Sequence, residues 1–424
     1  MTLSIYPSQL SGTIKIPSSK SHTLRALIFA LMADGKSVIQ APLPSPDTEA
    51  MLRAIEQLGA KIERLENRLE IKGVAGQLQA PEDVIHAGNS GQVLRFIGAL
   101  SGLAPHYTLL TGDHSIRHSR PALPLLSALR QLGATAESAG KEGRAPLIIK
   151  GPMKPGKATL CGRDSQPVSA LLIATSFLRG CSEIYVTDTG EKPWIDLTLS
   201  WLAKCGVKIQ HENYAHYTVP GWASYTGFET DIPGDFSTAG FPLIAALITD
   251  SELTLENLDM DDVQGDKKVI QMLIAMGAKI EIDSKRKRIH VKRGGKIQGQ
   301  RLDLNDCIDA IGLFAVMGCF AEGKTEIVNV GIARKKECDR LSALAKELKK
   351  MGAKIEEKEE GLVIYPSVLK GAHLETYQDH RMVLSLTVAA LAAQGKSTVS
   401  GIHAAAKTYS HFADDFRTLG ARIE

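Results

Sequence analysis

Aromatic residues are scarce in this chain: 5% of 424 residues, with 3 Trp, 9 Tyr and 10 Phe. Proteins that hold single-stranded nucleic acid stack bases on such rings, so the shortage argues against that class. An excess of one charge is missing too. The 50 Lys and Arg against 47 Asp and Glu leave +3, far below the basic footprint of a nucleic-acid-binding domain and well suited to small anionic ligands. No apolar run is long enough for a membrane-spanning helix. The opening Met1-Thr2-Leu3-Ser4-Ile5-Tyr6 has no basic segment of the kind that begins a secretory signal, so the expectation is a cytoplasmic protein. Cysteine is sparse. Cys161, Cys181, Cys205, Cys307, Cys319 and Cys338 form no C-x-x-C pair and read as small buried residues in a reducing compartment. Low-complexity linkers are absent, and 44% apolar with 23% charged residues is ordinary for a globular protein.

Glycine is plentiful, 38 in all, and six glycines carry one signature from end to end. It reads Leu58-Gly59-Ala60-Lys61-Ile62, Leu132-Gly133-Ala134, Cys205-Gly206-Val207-Lys208-Ile209, Met276-Gly277-Ala278-Lys279-Ile280, Met351-Gly352-Ala353-Lys354-Ile355 and Leu419-Gly420-Ala421-Arg422-Ile423. The glycines recur at intervals of 68 to 75 residues. An amphipathic run precedes each, and the complete copies continue into a charged, alternating stretch such as Lys354-Ile355-Glu356-Glu357-Lys358. The physical reading is a helix closed by a C′ glycine, then a strand. Six copies of one supersecondary unit thus span the chain. The interval is too long for a solenoid and suits a small α+β subdomain. Two domains of three copies each fit the length.

Each copy also has an earlier, strongly apolar helix with a polar start. Ser18-Ser19-Lys20-Ser21, Asn89-Ser90-Gly91, Asp164-Ser165-Gln166, Asp235-Phe236-Ser237, Asp306-Cys307-Ile308-Asp309 and Asp379-His380-Arg381 open these six helices. Taking Ser21, Gly91, Gln166, Ser237, Asp309 and Arg381 as equivalent gives steps of 70 to 75 residues. Ser, Asn and Asp at such positions are N-caps, worth about 1 kcal/mol each. Helix N-termini facing a common cleft would also favour anions. Lys20 and Arg381 are cations where the helix dipole disfavours them. A strongly negative substrate would resolve that conflict.

Three charged segments point the same way. In Arg334-Lys335-Lys336-Glu337-Cys338-Asp339-Arg340-Leu341, the spacing puts Lys336 and Arg340 on one helical face, where like charges repel. His118-Ser119-Arg120-Pro121 precedes a helix expected over residues 123–132. Ala406-Lys407-Thr408 is expected to begin the last helix. The basic run Lys285-Arg286-Lys287-Arg288 through Arg293 reads instead as a solvated hairpin.

These residues together resemble the 5-enolpyruvylshikimate-3-phosphate synthase family. Pro17-Ser18-Ser19-Lys20-Ser21 with Arg25, Gly88-Asn89-Ser90-Gly91 with Arg95, the segment 334–341, Asp379-His380-Arg381-Met382 and Ala406-Lys407-Thr408 are similar to its motifs, in order along the whole chain. The resemblance implies an α+β fold of two domains, each of three βαβαββ repeats in an inverse α/β barrel-like arrangement, with substrates in an interdomain cleft. It implies that the N-terminal strand pairs with the C-terminal half. One domain would comprise residues 1–18 and 235–424, the other residues 19–234.

The implied chemistry is transfer of the enolpyruvyl group of phosphoenolpyruvate to the 5-hydroxyl of shikimate 3-phosphate, through a tetrahedral intermediate, with loss of phosphate. No metal or cofactor is implied, since cationic side chains stabilise the developing charge. The two ligands carry about five to six negative charges near neutral pH. By motif, Lys20, Gly91, Arg120, Gln166, Arg340, Arg381 and Lys407 would hold phosphoenolpyruvate. Lys20, Ser21, Arg25, Ser165, Gln166, Asp309 and Lys336 would hold shikimate 3-phosphate. Asp309 would act as general base, Glu337 as acid at the methylene carbon, and Lys20 beside them. The partners implied are these two small molecules alone, without nucleic acid or membrane, acting on a monomer.

Two carboxylates depart from the family pattern. Asp164 and Glu191 stand where the family has serines that touch the acceptor phosphate; pairing with Arg163 or Lys192 would relieve the repulsion. Gln92 and Phe96 replace a usual Thr and Pro behind Gly91, which implies altered sensitivity to glyphosate. The sister enzyme acting on UDP-N-acetylglucosamine typically has a reactive Cys (Asp in some members) in the loop before Arg120. Here that loop, residues 112–120, contains no Cys.

Overall fold

The computed structural model describes residues 2–424. Its repeating unit runs strand, helix, strand, helix, strand, strand. The third copy shows it in full: Lys157–Cys161, Ser165–Ser176, Ser182–Thr187, Lys192–Lys204, Gln210–Glu212 and His216–Val219. The first two strands pair in parallel across the first helix, the last strand joins the second antiparallel, and the third takes the outer edge. Five sheets have four strands in this order and one has three; among the described residues none closes into a barrel.

Two of these sheets borrow their first strand from elsewhere in the chain. Ser11–Lys15 pairs in parallel with Glu252–Glu256, and Glu229–Asp231 with Lys36–Gln40. The sixth copy ends early, and Thr2–Ile5 supplies its missing antiparallel strand by pairing with Ser397–Ser400. The chain divides into two compact units. The first comprises Met1–Pro17 and Pro233–Glu424, the second Ser18–Ile232. Each has its own apolar core.

The six signature glycines all have positive φ, from +80° at Gly206 to +106° at Gly59. At each, the following N–H bonds back to the carbonyl five residues earlier, as in Ala60 to Ile55 and Ala421 to Phe416, at 3.0 and 2.9 Å. That is the Schellman closure, which requires the left-handed residue glycine supplies.

The first helices differ from the amphipathic second ones because they are buried on nearly every side. All eleven residues of Gly91–Ser101 and all twelve of His380–Leu391 are buried. A helix buried on every side must satisfy its first N–H groups from within the protein. Ser19, Ser90, Asp164, Asp235 and Asp379 do so as N-caps. No described helix is long and apolar enough to cross a membrane.

Several local expectations change. The fifth copy has no capped start: a 3-10 turn, Asn305–Ala310, broken at Cys307, leads into Ile311–Phe320. In the second copy Gly91 is the first helical residue and Gln92 the second, so Gln92, not Gly91, matches Ser21, Gln166, Ser237 and Arg381. Lys336 and Arg340 do not share a helical face, because Lys336 follows the 3-10 turn Gly331–Lys335 with non-helical backbone and Arg340 begins the next helix. Lys407 closes a 3-10 turn, Ile402–Lys407, and the last helix starts only at Phe412. All six cysteines are free thiols, but only Cys307 and Cys319 are buried. The basic hairpin is a salt-bridged surface, with Lys287 on Asp259 at 2.7 Å and Arg288 on Glu256 at 2.5 Å.

Candidate active site

In the second unit Lys20, Ser21, Gly91, Ser165 and Gln166 lie on first helical turns, Arg25 lies one turn further in, and Arg120 lies on the link between His114–His118 and Leu123–Gln131. Lys20 and Ser21 open Lys20–Met32, and the Lys20 ammonium stands 3.9 Å from Asp47. One turn on, Arg25 is 1% exposed. Its guanidinium donates to three neutral acceptors: the Thr198 hydroxyl at 2.9 Å and the Ser21 and Trp194 carbonyls at 3.1 and 3.0 Å. Phe96 lies under it, 5.3 Å from its ring centroid. Burial pulls the Arg25 guanidinium down to about 9, still cationic at neutral pH.

Arg120, Arg95 and Gln166 converge over Gly91. A Cβ there would lie 2.8 Å from a terminal atom of each. The glycine is therefore a floor that lets three polar tips meet. The Gln166 carbonyl oxygen and Arg95 Nε are buried at this point without a hydrogen-bond partner. Arg95 also donates to the Pro121 carbonyl at 3.0 Å and pairs with Asp164 at 3.3 Å. Burial lowers its pKa, while Asp164 raises it. Asp164 thus finds Arg95 rather than Arg163, which faces Asp188 at 3.8 Å. Glu191, 2% exposed and left-handed at φ 49°, accepts from both the backbone N–H and the hydroxyl of Ser165, each at 2.9 Å. Lys192 lies instead 5.6 Å from the Tyr214 ring centroid. Ser165 is thereby engaged by a carboxylate of the chain itself.

In the first unit most of the residues lie on 3-10 turns and bends, and they form one charged network. Asp309 receives Arg340 on one oxygen at 2.7 Å and Arg381 on the other at 3.1 Å. Glu337 receives Arg340 at 2.9 Å and Lys407 at 2.6 Å. Arg340 also grips Asp379, with Nε at 2.7 Å and Nη2 at 3.3 Å. Burial alone would lower the Arg340 pKa, but Asp379, Glu337 and Asp309 hold it well above the ordinary value. In these pairs three cations meet three carboxylates. Two cation–carboxylate contacts answer the expected conflict at helix starts: Asp309 faces Arg381, and Asp47 faces Lys20. Arg381 still has Nε and Nη1 buried without a hydrogen-bond partner. Lys336, next to Glu337 in the chain, is half-buried.

Glu337, Asp379 and His380 bring one potential ligand atom each within 4.8 Å of one another. Arg340 and Lys407 already use those carboxylates, and two adjacent cations repel a metal ion.

The sequence reading omitted Arg95, Asp47, Asp379 and Asp266 from the site. Asp379 had a visible signal as an N-cap. Asp266 had none: it sits in the 3-10 turn Gly265–Lys267, fully buried, and accepts from Ser237. Burial pushes its carboxyl up to about 7, aided by Asp309 and Asp235 and opposed by Arg381 and Ser237.

Comparison with known proteins shows the family and the fold. The family model described as EPSP synthase (3-phosphoshikimate 1-carboxyvinyltransferase) matches residues 6–416. A 3-phosphoshikimate 1-carboxyvinyltransferase of Acetivibrio thermocellus is 43% identical over 423 residues, covering 100% of this chain and 99% of the relative. One from Methanocaldococcus jannaschii is 40% identical, with 98% and 97% covered. The EPSP synthase structure from Acinetobacter baumannii superposes with a TM-score of 0.83 at 25% identity, covering 100% of this chain and 99% of the other. The enolpyruvyl transferase NikO from Streptomyces tendae shares the fold, with a TM-score of 0.80 at 17% identity and 100% and 98% covered.

Proposed function

Because the chain belongs to the EPSP synthase (3-phosphoshikimate 1-carboxyvinyltransferase) family, we propose that residues of both units act together on phosphoenolpyruvate and shikimate 3-phosphate. The chain is a transferase of the shikimate pathway, on the route to the aromatic amino acids. The observation that carries the assignment of roles is the first unit's network: two carboxylates, Asp309 and Glu337, each held by two cations.

Arg340, Arg381 and Lys407, with Arg120, Gly91, Gln166 and Lys20 from the second unit, hold phosphoenolpyruvate. Guanidinium forks match its carboxylate and phosphate. Arg25, Lys20, Ser21, Ser165, Gln166, Asp309 and Lys336 hold shikimate 3-phosphate. When phosphoenolpyruvate draws cations to itself, the carboxylates lose part of their compensation. Their affinity for a proton rises.

That change arms the chemistry. Asp309 takes the proton of the 5-hydroxyl as its oxygen attacks the enol carbon, and Glu337 delivers a proton to the methylene carbon. The cations stabilise the charge of the tetrahedral intermediate until phosphate leaves with the proton held by Asp309 and the Glu337 carboxylate takes a proton from the methyl group. The same reading takes the protein to be a cytoplasmic monomer that needs no metal or cofactor. The test is phosphate release from phosphoenolpyruvate with shikimate 3-phosphate or UDP-N-acetylglucosamine as separate acceptors. Release with shikimate 3-phosphate alone is expected; binding of phosphoenolpyruvate without release would mean that Asp164 and Glu191 mark another acceptor.

A further inference from the structure

Glu347 lies two turns into the helix Arg340–Lys350 and is fully buried. Its carboxylate accepts from the Lys350 ammonium at 2.6 Å, the Glu375 backbone N–H at 2.9 Å and the Tyr377 hydroxyl at 2.7 Å. Despite the cost of burial, these three donors hold its pKa below the usual range. A buried charge is a poor source of stability, since apolar side chains of similar volume do as well. Its value lies in what it holds.

Tyr377 and Gln378 are both left-handed, at φ +53° and +58°, with no glycine between them. L residues keep such a conformation only where their surroundings over-determine it. Glu347 grips this turn from one side. On the other side, Thr376 donates to the Ser400 carbonyl at 3.0 Å, the Ser400 hydroxyl to Glu375 at 2.6 Å, and Gln378 meets His403 at 2.7 Å. The turn therefore ties the helix headed by Arg340 to the segment that ends in Lys407. It runs directly into Asp379, whose N–H bonds to the Thr376 carbonyl at 2.9 Å and whose carboxylate receives Arg340.

We propose that Glu347 and Tyr377 are positioning residues: through the left-handed turn they set the spacing of Arg340, Arg381 and Lys407 so that three cations meet one anion. The inference rests on the reading of those cations given under Proposed function. Tyr377→Phe removes one hydroxyl, and Glu347→Gln removes the charge at nearly constant shape. Each is expected to raise KM for phosphoenolpyruvate about tenfold, with kcat and KM for shikimate 3-phosphate within about twofold. The double variant should be no worse than the poorer single one, because both act through one contact. A fall in melting temperature with both KM values unchanged would overturn the proposal, as would an equal rise in both. Wild-type turnover with shikimate 3-phosphate is the control. If it is absent, the functional reading fails, and phosphoenolpyruvate binding measured directly on wild type and variants decides this proposal instead.

Discussion

Arg25 of the second unit and Arg340 of the first are equally hidden, yet their surroundings are opposite. Arg25 meets two carbonyls and a hydroxyl, while Arg340 meets three carboxylates. The first guanidinium has no carboxylate among its hydrogen-bond acceptors; the second is the hub of a cluster of paired charges. The difference extends to the backbone. The second unit offers Lys20, Ser21, Gly91, Ser165 and Gln166 from α-helical first turns, where aligned N–H groups favour anions. The first unit offers Asp309 and Lys407 from 3-10 turns and Glu337 from the bend after one. One unit stores positive charge, and the other couples charge to carboxylates able to move protons.

Paired substitutions test this division most severely. Arg340→Met should destabilise the protein by about 3 to 5 kcal/mol, because it strands buried carboxylates. Arg25→Met should cost no stability, or even add some, while KM for the acceptor rises about a hundredfold. The Trp194 carbonyl released by that change still receives the Thr198 hydroxyl at 3.2 Å. Denaturant titration beside steady-state kinetics separates the outcomes; equal stability losses would break the comparison.

Asp309→Asn should next lower kcat by about two to four orders of magnitude. An unaltered kcat would remove it as the base.

A smaller effect concerns Asp266. Burial pushes its carboxyl up to about 7, from an ordinary aspartate value of 3.8. Folding thus favours its protonated form, so its contribution to stability is full below about 4 and is lost as pH rises through about 7. Asp266→Asn, which still accepts from Ser237, should therefore stabilise the protein more at pH 8 than at pH 5. Melting curves showing the same shift at both pH values would contradict this.

The smallest expectation concerns glyphosate. With Gln92 and the fully buried Phe96 in the helix over Gly91, its inhibition constant should exceed that of a relative with Thr and Pro there. An equally sensitive enzyme would sink that expectation.

Much of this comparison was legible in the sequence, because the signals were local. A C′ glycine requires a left-handed residue wherever it occurs, and five of the six apolar helices carry a side-chain cap next to their first turn. The turns at Asn305–Ala310 and Ile402–Lys407 were not legible. A short 3-10 segment has no periodicity to distinguish it from a helix start. The one-residue shift that puts Gln92 in register with Ser21 was hidden because Asn89 and Ser90 are both cap-forming residues, and Ser90 is the one that caps the helix. Arg95 and Asp266 were missed because their partners are far apart in the chain: Asp164 pairs with Arg95, and Ser237 with Asp266. Spacing within one segment cannot show that.

The division of labour is tested most directly by running the reaction in D2O and measuring deuterium in the methylene group of product and recovered phosphoenolpyruvate. Wild type, Arg25→Met and Glu337→Gln are compared at saturating substrates. Arg25→Met should incorporate deuterium per turnover like wild type, whereas Glu337→Gln should lose exchange into recovered phosphoenolpyruvate. Unabated exchange in Glu337→Gln, or its loss in Arg25→Met with both substrates bound, would contradict the account.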